Sequence, residues 1–418
     1  MEAKKKWDLL SIASIPLTMT LANSMLIPVL PAMQKALGIS PFKASLIITV
    51  YAAVAILFIP LAGYLSDRFS RKAVILPGLI LVSAAGAGAG LAAVWADHAY
   101  GLIITARLIQ GLGSAGCFPV VIPLVGDLFK KNEDVSSGLG IVETSNTFGK
   151  VLSPILGAAL AIWAWYIPFF AIPIFSMLSF GLVLFLVKAP SKEEQQTADT
   201  GIRTFLRSIG SILKEKKWLY GIFAMGGICM FVIFGSLFYL SETLETRGMS
   251  SIMKGLVLAV PLACLCLASY LSGKWIGENK VVMKWTCFTG LLVAAAGLFI
   301  LGWVQWSHTW WMVAMLAAAS AGIGSALPSL DALITEGIEK EQRGTVTSLY
   351  SSMRFIGVAV GPPIIALLMD KSVMLLFMVL ASTALVAAFI TLIAIRPGEK
   401  GQAPGSRGAA GRRRSPAR

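Results

Sequence analysis

Charge is scarce in this chain: Asp, Glu, Lys and Arg make up 13% of its 418 residues, against 56% hydrophobic residues and a mean hydropathy of +0.78. That proportion excludes an ordinary water-soluble domain, because one aqueous core cannot hide so much apolar surface. Histidine is limited to two positions and cysteine to five. There is no Cys-x-x-Cys, no histidine cluster and no paired-carboxylate spacing, so neither a metal centre nor a redox site is expected, and no cofactor. Cys117, Cys229, Cys264, Cys266 and Cys287 lie within apolar runs and read as small buried hydrophobes. A membrane-embedded enzyme would need paired acids, a Ser/His or Cys/His set, or a metal cluster at one face, and none is visible. The absence of Gly-x4-Gly-Lys-Ser/Thr removes ATP as an energy source within this chain.

What the chain has instead is a series of long apolar runs, each near the ~20 residues that cross about 30 Å of hydrocarbon. They fall at 9–31, 44–64, 73–94, 101–126, 137–160, 163–187, 218–241, 252–273, 281–304, 309–333, 345–369 and 372–395. A signal peptide explains at most one of them. Their apolarity is continuous and does not alternate with period 2, so each run satisfies its own backbone hydrogen bonds as a helix. The expected fold class is an all-α membrane protein with twelve transmembrane helices in a lipid bilayer.

The net charge of +14 would suggest nucleic acid if the basic residues formed one patch. They alternate by loop instead. With the N-terminus placed inside, 27 lysines and arginines fall in inner segments and five outside (Lys35, Lys43, Arg247, Lys254 and Lys371). This bias predicts cytoplasmic termini in a multi-pass plasma-membrane protein, and no nucleic-acid partner.

The longest hydrophilic stretch, 188–217, separates six spans from six. The predicted organisation is an N-terminal bundle over 1–187, a cytoplasmic linker over 188–217, a C-terminal bundle over 218–396 and a disordered tail over 397–418. Within the linker, Ile202, Phe205, Leu206, Ile209, Ile212 and Leu213 recur at helical spacing among basic residues, the pattern of a helix on the membrane surface. The halves also repeat. Gly63-Tyr-Leu-Ser-Asp-Arg68 parallels Ser269-Tyr-Leu-Ser-Gly-Lys274, and Gly111-Leu-Gly-Ser-Ala115 parallels Gly322-Ile-Gly-Ser-Ala326. Gly149-Lys-Val-Leu-Ser-Pro154 parallels Gly357-Val-Ala-Val-Gly-Pro362 in the same way. Two pseudo-symmetric six-helix bundles place a binding site at mid-membrane between them.

Three motifs carry a resemblance. Gly63, Asp67, Arg68, Arg71 and Lys72, in the loop between spans 2 and 3, closely resemble the signature loop of the major facilitator superfamily, with Ser70 where the family has Gly. By that resemblance the loop is a latch that holds one conformation, with Asp127 at the end of span 4 placed to pair with its basic residues. Arg107 and Gln110-Gly111 in span 4 resemble the family's second motif, and an arginine inside the membrane is a functional candidate. Gly140, Gly149, Ser153, Pro154 and Gly157 in span 5 resemble the motif of the superfamily's antiporters, chiefly exporters of drugs and other amphiphiles. Small residues permit close helix approach and Pro154 bends the helix, as a rocking interface requires.

Span 5 also bears Glu143 and Lys150, seven residues and roughly 700° apart, hence on one face about 10 Å apart along the axis. Glu143 is the first proton-coupling candidate, with Arg107 and Asp331 beside it. The expected cavity set is Asn23, Gln110, Glu143, Asn146, Lys150 and Arg354, and a pairing of Arg354 with Asp331 is expected across spans 10 and 11. Asn23 stands where exporters of this group often carry an acid, which argues against a lipophilic-cation substrate. The resulting expectation is a proton-coupled antiporter, monomeric, exporting a small amphiphilic compound. The alternatives are a carrier or flippase for an anionic metabolite or lipid head group, and a sensing receptor on a transporter fold.

Overall fold

The computed structural model describes residues 3–129, 132–187, 202–276, 279–304, 308–338 and 340–395, and among them every regular element is helical. The expected tail falls outside the described residues. Span 1 comprises α1 (Ala3–Ser24), a 3-10 turn at Ile27–Val29 and α2 (Leu30–Leu37). Spans 2 and 3 are α3 (Pro41–Arg68) and α4 (Arg71–Trp95), and span 4 is α5 (Ala99–Ala115) with α6 (Val121–Leu128). Spans 5 and 6 are α7 (Asn132–Leu160) and α8 (Ile167–Leu186). The linker carries α9 (Ile202–Glu215). The second half runs α10 (Trp218–Thr246), α11 (Ser251–Ile276), α12 (Lys280–Trp303), α13 (Thr309–Gly337), α14 (Lys340–Met369) and α15 (Val373–Ala394).

Local chemistry sets the boundaries. Ser40, Ser70 and Ser372 cap α3, α4 and α15 by accepting from the backbone N–H groups of Lys43, Ala73 and Leu375, and Asn279 caps α12 through Val281. Ser70 therefore replaces the family glycine with a side chain that starts the next helix. Span 4 was expected to be continuous, yet it breaks between α5 and α6. Pro119 and Pro123 supply no N–H, and the chain crosses the gap in tight turns, Gly116 N–H to Gly113 O and Cys117 N–H to Ser114 O.

Ten spans are long and apolar enough to cross a membrane by length and composition. The other two are the broken α5–α6 span and α7, whose interior carries Glu143 and Lys150. Exposed tryptophans stand at the helix ends, Trp7, Trp275 and Trp285 on the face where α1 begins and α15 ends, and Trp95, Trp163, Trp303 and Trp310 on the opposite face. These are the amphipathic belts of a bilayer-spanning protein.

Packing repeats with the sequence. In the first half α7 packs on α1, α5 on α3 and α4, and α8 on α4; in the second, α14 packs on α10, α13 on α11 and α12, and α15 on α12. The halves meet chiefly through two pairs that the same symmetry exchanges, α3 with α14 and α7 with α11, and α2 with the 3-10 turn before it also touches α10. The linker helix expected on the membrane surface is present as α9, and near its end Ile212 is buried against the protein core.

Candidate functional site

Five helices converge on a cavity with about 580 Å³ of atom-free space between the halves. Thr20 and Asn23 enter from α1, Asn146 and Lys150 from α7, Phe234 from α10 and Arg354 from α14. On α7 the polar face is a ladder. Asn146 Nδ2 donates to both Glu143 carboxylate oxygens (3.2 and 3.3 Å) while its Oδ1 accepts from Thr20 Oγ1 at 2.6 Å. Glu143 is exposed, on the side of the chain ends, and Asn146 is buried. From the second half, Asp331 of α13 and Arg354 of α14 come within electrostatic reach of Glu143 and Lys150, and the Arg354 guanidinium lies 5.6 Å from the Tyr350 ring centre. Lys150 and Arg354, one from each half, line the cavity, and the acids Glu143 and Asp331 lie within electrostatic reach of them. Such groups are costly inside a membrane and mark solute or proton paths.

Arg107 occupies a different environment. Its side chain is 0% exposed and its donors are spent on neutral oxygens: Ile47 O (2.8 Å), Ala22 O (3.1 Å), Gln110 Oε1 (2.7 Å) and Asn23 Oδ1 (2.6 Å). The Tyr51 ring covers the guanidinium at 4.5 Å, and Tyr51 Oη in turn meets Ser114 Oγ at 2.6 Å. Gln110 extends the network to Val82 O on α4 at 3.4 Å. This knot ties spans 1, 2, 3 and 4 together, and only its edge, Asn23 and Tyr51, lines the cavity. Arg107 and Gln110 stand behind the wall.

On the face of the chain ends, Arg71 Nε donates to Asp127 Oδ2 at 3.0 Å and its Nη1 to Ser66 Oγ at 2.8 Å. Lys72 Nζ caps α8 through Leu184 O (2.7 Å) and Val187 O (3.0 Å), while Arg68 lies against Phe69. The Asp67 side chain lies outside the described residues. Gly63 faces Ser348 of α14, in the other half.

The small residues of span 5 divide between two partners. A Cβ at Gly157 would collide with the Met25 carbonyl oxygen, and one at Gly149 would crowd Leu17 and Thr20, so both glycines admit α1. Pro154 and Ala158 face the opposite half, where the space at Gly255 of α11 lies 2.6 Å from the Pro154 carbonyl oxygen. Ser153 is buried and returns its hydroxyl to Gly149 O at 2.6 Å. Gly140 faces open space.

Sequence reasoning missed Thr20, Tyr51 and the aromatic walls Phe118, Phe234 and Phe355, because a single aromatic in an apolar run gives no signal of its own. It also missed a polar cluster on the opposite face. Gln34 Nε2 donates to Glu242 Oε1, Lys35 pairs with Glu245 at 2.7 Å, and Lys254 pairs with the other Glu245 oxygen at 2.7 Å. Glu242 and Glu245, three apart at the end of an apolar helix, were visible as a pattern, but their partners in the first half, Gln34 and Lys35, are more than 200 residues away.

The Major Facilitator Superfamily model matches residues 12–304 and 245–417. A bacillibactin exporter of Bacillus subtilis (strain 168) is 48% identical over 392 residues, covering 93% of this chain and 96% of that protein. The class B tetracycline resistance protein of Escherichia coli is 24% identical over 377 residues, with 87% and 89% covered. Among solved structures, a bacterial homologue of the human lysosomal transporter Spinster, in an inward-facing and occupied conformation, superposes with a TM-score of 0.72 at 15% identity, over 95% of this chain and 98% of that one. Twelve spans, a repeated six-helix packing and a charged cavity between the repeats agree with that match along the chain, which belongs to the Major Facilitator Superfamily and is a multi-pass membrane transporter, not an enzyme.

Proposed function

We propose that this protein is a proton-coupled antiporter of the plasma membrane that exports a small amphiphilic compound by alternating access, with both termini in the cytoplasm. The observation that carries the reading is the α7 ladder Glu143–Asn146–Lys150 meeting Asp331 and Arg354 from the other half. Export is supported by the 48% identical exporter and the resistance protein, and orientation by the 27-to-five division of basic residues. We take the bundles as 1–187 and 218–396 with the linker 188–217 between them, the tail as 397–418, and the working unit as a monomer.

In the present conformation the halves are pinned together on the outer face, and Glu143 is open on the cytoplasmic side, hydrogen-bonded through its carboxylate oxygens. In that state Glu143 gives its proton to the cytoplasm and substrate enters. After the halves rock, substrate leaves outward, a proton returns to Glu143, and the neutral ladder resets. Asp331, facing Arg354 and Lys150, is the second proton candidate; Arg107, spent on neutral oxygens, is assigned to the scaffold. The Arg71–Asp127 pair and the loop around Asp67 serve as the cytoplasmic latch, and Pro154 with Ala158 forms the rocking contact on α11.

Flux in proteoliposomes with an imposed pH gradient tests this, with bacillibactin first in the compound panel because the 48% identical relative exports it. Glu143→Gln should abolish uphill transport and spare downhill exchange. Full pH-driven flux in that variant would move the proton to Asp331. A second reading, an anionic substrate, is favoured by one observation: the cations Lys150 and Arg354 both line the cavity, and among the described residues no acid lines it. Competition by anions and not by cations of equal size would support it.

A further inference from the structure

Closure of the outer face depends on few polar contacts, and they differ in kind. Among the described residues, three cross between the halves at the helix ends, Gln34 to Glu242, Lys35 to Glu245, and Ser241 Oγ to Ile27 O at 3.0 Å, and a fourth lies deeper, Thr49 Oγ1 to Ala359 O at 2.6 Å. Glu242 is 7% exposed and Ser241 is buried, but Lys35 is 71% exposed in its side chain. Glu245 does not depend on the crossing contact, because Lys254 of its own half, 3% exposed, holds its second oxygen at 2.7 Å. If the halves separate, Glu245 keeps a charged partner. Glu242 loses Gln34 and must find water.

We propose that the buried Gln34–Glu242 contact, with Ser241–Ile27 beside it, is the lock of the outer gate, and that Lys254 is a positioning residue that lets the Lys35–Glu245 pair open freely. Lys35 and Lys254 face Glu242 and Glu245, so an ionised Glu242 leaves the closed cluster neutral and its removal leaves it positive. Water screens a solvent-exposed ion pair and leaves it little net strength, whereas a hydrogen bond to a carboxyl group shielded from water keeps much of its strength. The conspicuous salt bridge is therefore the weaker element, and the neutral amide on Gln34 the stronger.

The inference rests on the alternating-access reading, but its test needs no transport. Hydrogen–deuterium exchange of the full-length protein in detergent or nanodiscs reports opening of segments 27–37 and 241–250. Gln34→Ala and Glu242→Ala should each raise exchange there about tenfold, and Lys35→Ala by less than about threefold. Lys254→Ala should bring the effect of a second Lys35→Ala change closer to that of Gln34→Ala, since Glu245 would then have one partner. Equal effects of Lys35→Ala and Gln34→Ala, or no change in either segment, would overturn the proposal. Should Glu242→Ala loosen the whole bundle, Gln34→Ala decides alone. Raised exchange in Gln34→Ala together with no pH-driven flux in the unaltered protein would keep the lock and overturn the antiport reading.

Discussion

Two arginines in the membrane interior, Arg107 on α5 and Arg354 on α14, received opposite surroundings. Arg107 is sealed against two backbone carbonyls, two side-chain amides and a tyrosine ring within its own half. Arg354 lines the cavity, with Asp331 and Tyr350 on one side and the charges of α7 opposite. One charge is enclosed by fixed oxygens of its own half and the other borders the cavity. The side chain is the same in both, so the role follows from the number of fixed oxygens the neighbouring helices bring within reach.

The largest expected effect breaks the first of these. Arg107→Ala strands Asn23, Gln110 and two carbonyls without donors, and at about 1 kcal/mol or more per unsatisfied group it should cost at least ~3 kcal/mol. Thermal unfolding in detergent and the yield of monodisperse protein would register that loss, and Arg107→Lys should recover little, because one ammonium cannot span four acceptors. Wild-type stability in Arg107→Ala would show that the knot is not structural.

Next in size is Gly157→Ala, which drives a methyl into the Met25 carbonyl and should destabilise by about 1 to 3 kcal/mol. Gly140→Ala, in the same motif but facing open space, should be neutral or stabilising by about 0.5 kcal/mol or so. Equal penalties at the two glycines would contradict the division of that motif between packing and open positions.

Arg354→Gln sharpens the comparison from the other side. It should leave folding within about 1 kcal/mol of wild type, yet weaken binding of an anionic substrate at least tenfold, as read by tryptophan quenching or flux. Smallest in stability is Glu143→Gln, an exposed isosteric change, for which the readout is the loss of pH-driven accumulation with exchange retained. If Arg354→Gln unfolds the protein as Arg107→Ala does, both arginines are scaffold and the cavity charge is incidental.

Much of this was legible beforehand. Apolar runs located all twelve spans, because a bilayer imposes length and apolarity on each helix separately. Ends were less certain where side chains set them: Ser70 caps α4, and Pro119 with Pro123 interrupts span 4. The site was half visible. Glu143, Lys150, Asp331 and Arg354 stood out as charges in apolar sequence, whereas nothing in the one-dimensional pattern separated Arg107 from Arg354. The cluster around Glu242 was invisible as a cluster, since Gln34 and Glu242 lie on spans 1 and 7 and look like ordinary residues at helix ends.

The sequence by itself determined membrane residence, the number of helices, the two-fold repeat and the small set of interior charges, all of which depend on residues adjacent along one helix. Tertiary structure alone decided which of those charges face the cavity, which are satisfied behind it, and which surfaces pin the halves together. Those outcomes depend on oxygens and amides contributed by helices distant in the chain, at separations of 2.6 to 3.1 Å around Arg107 that no local pattern encodes.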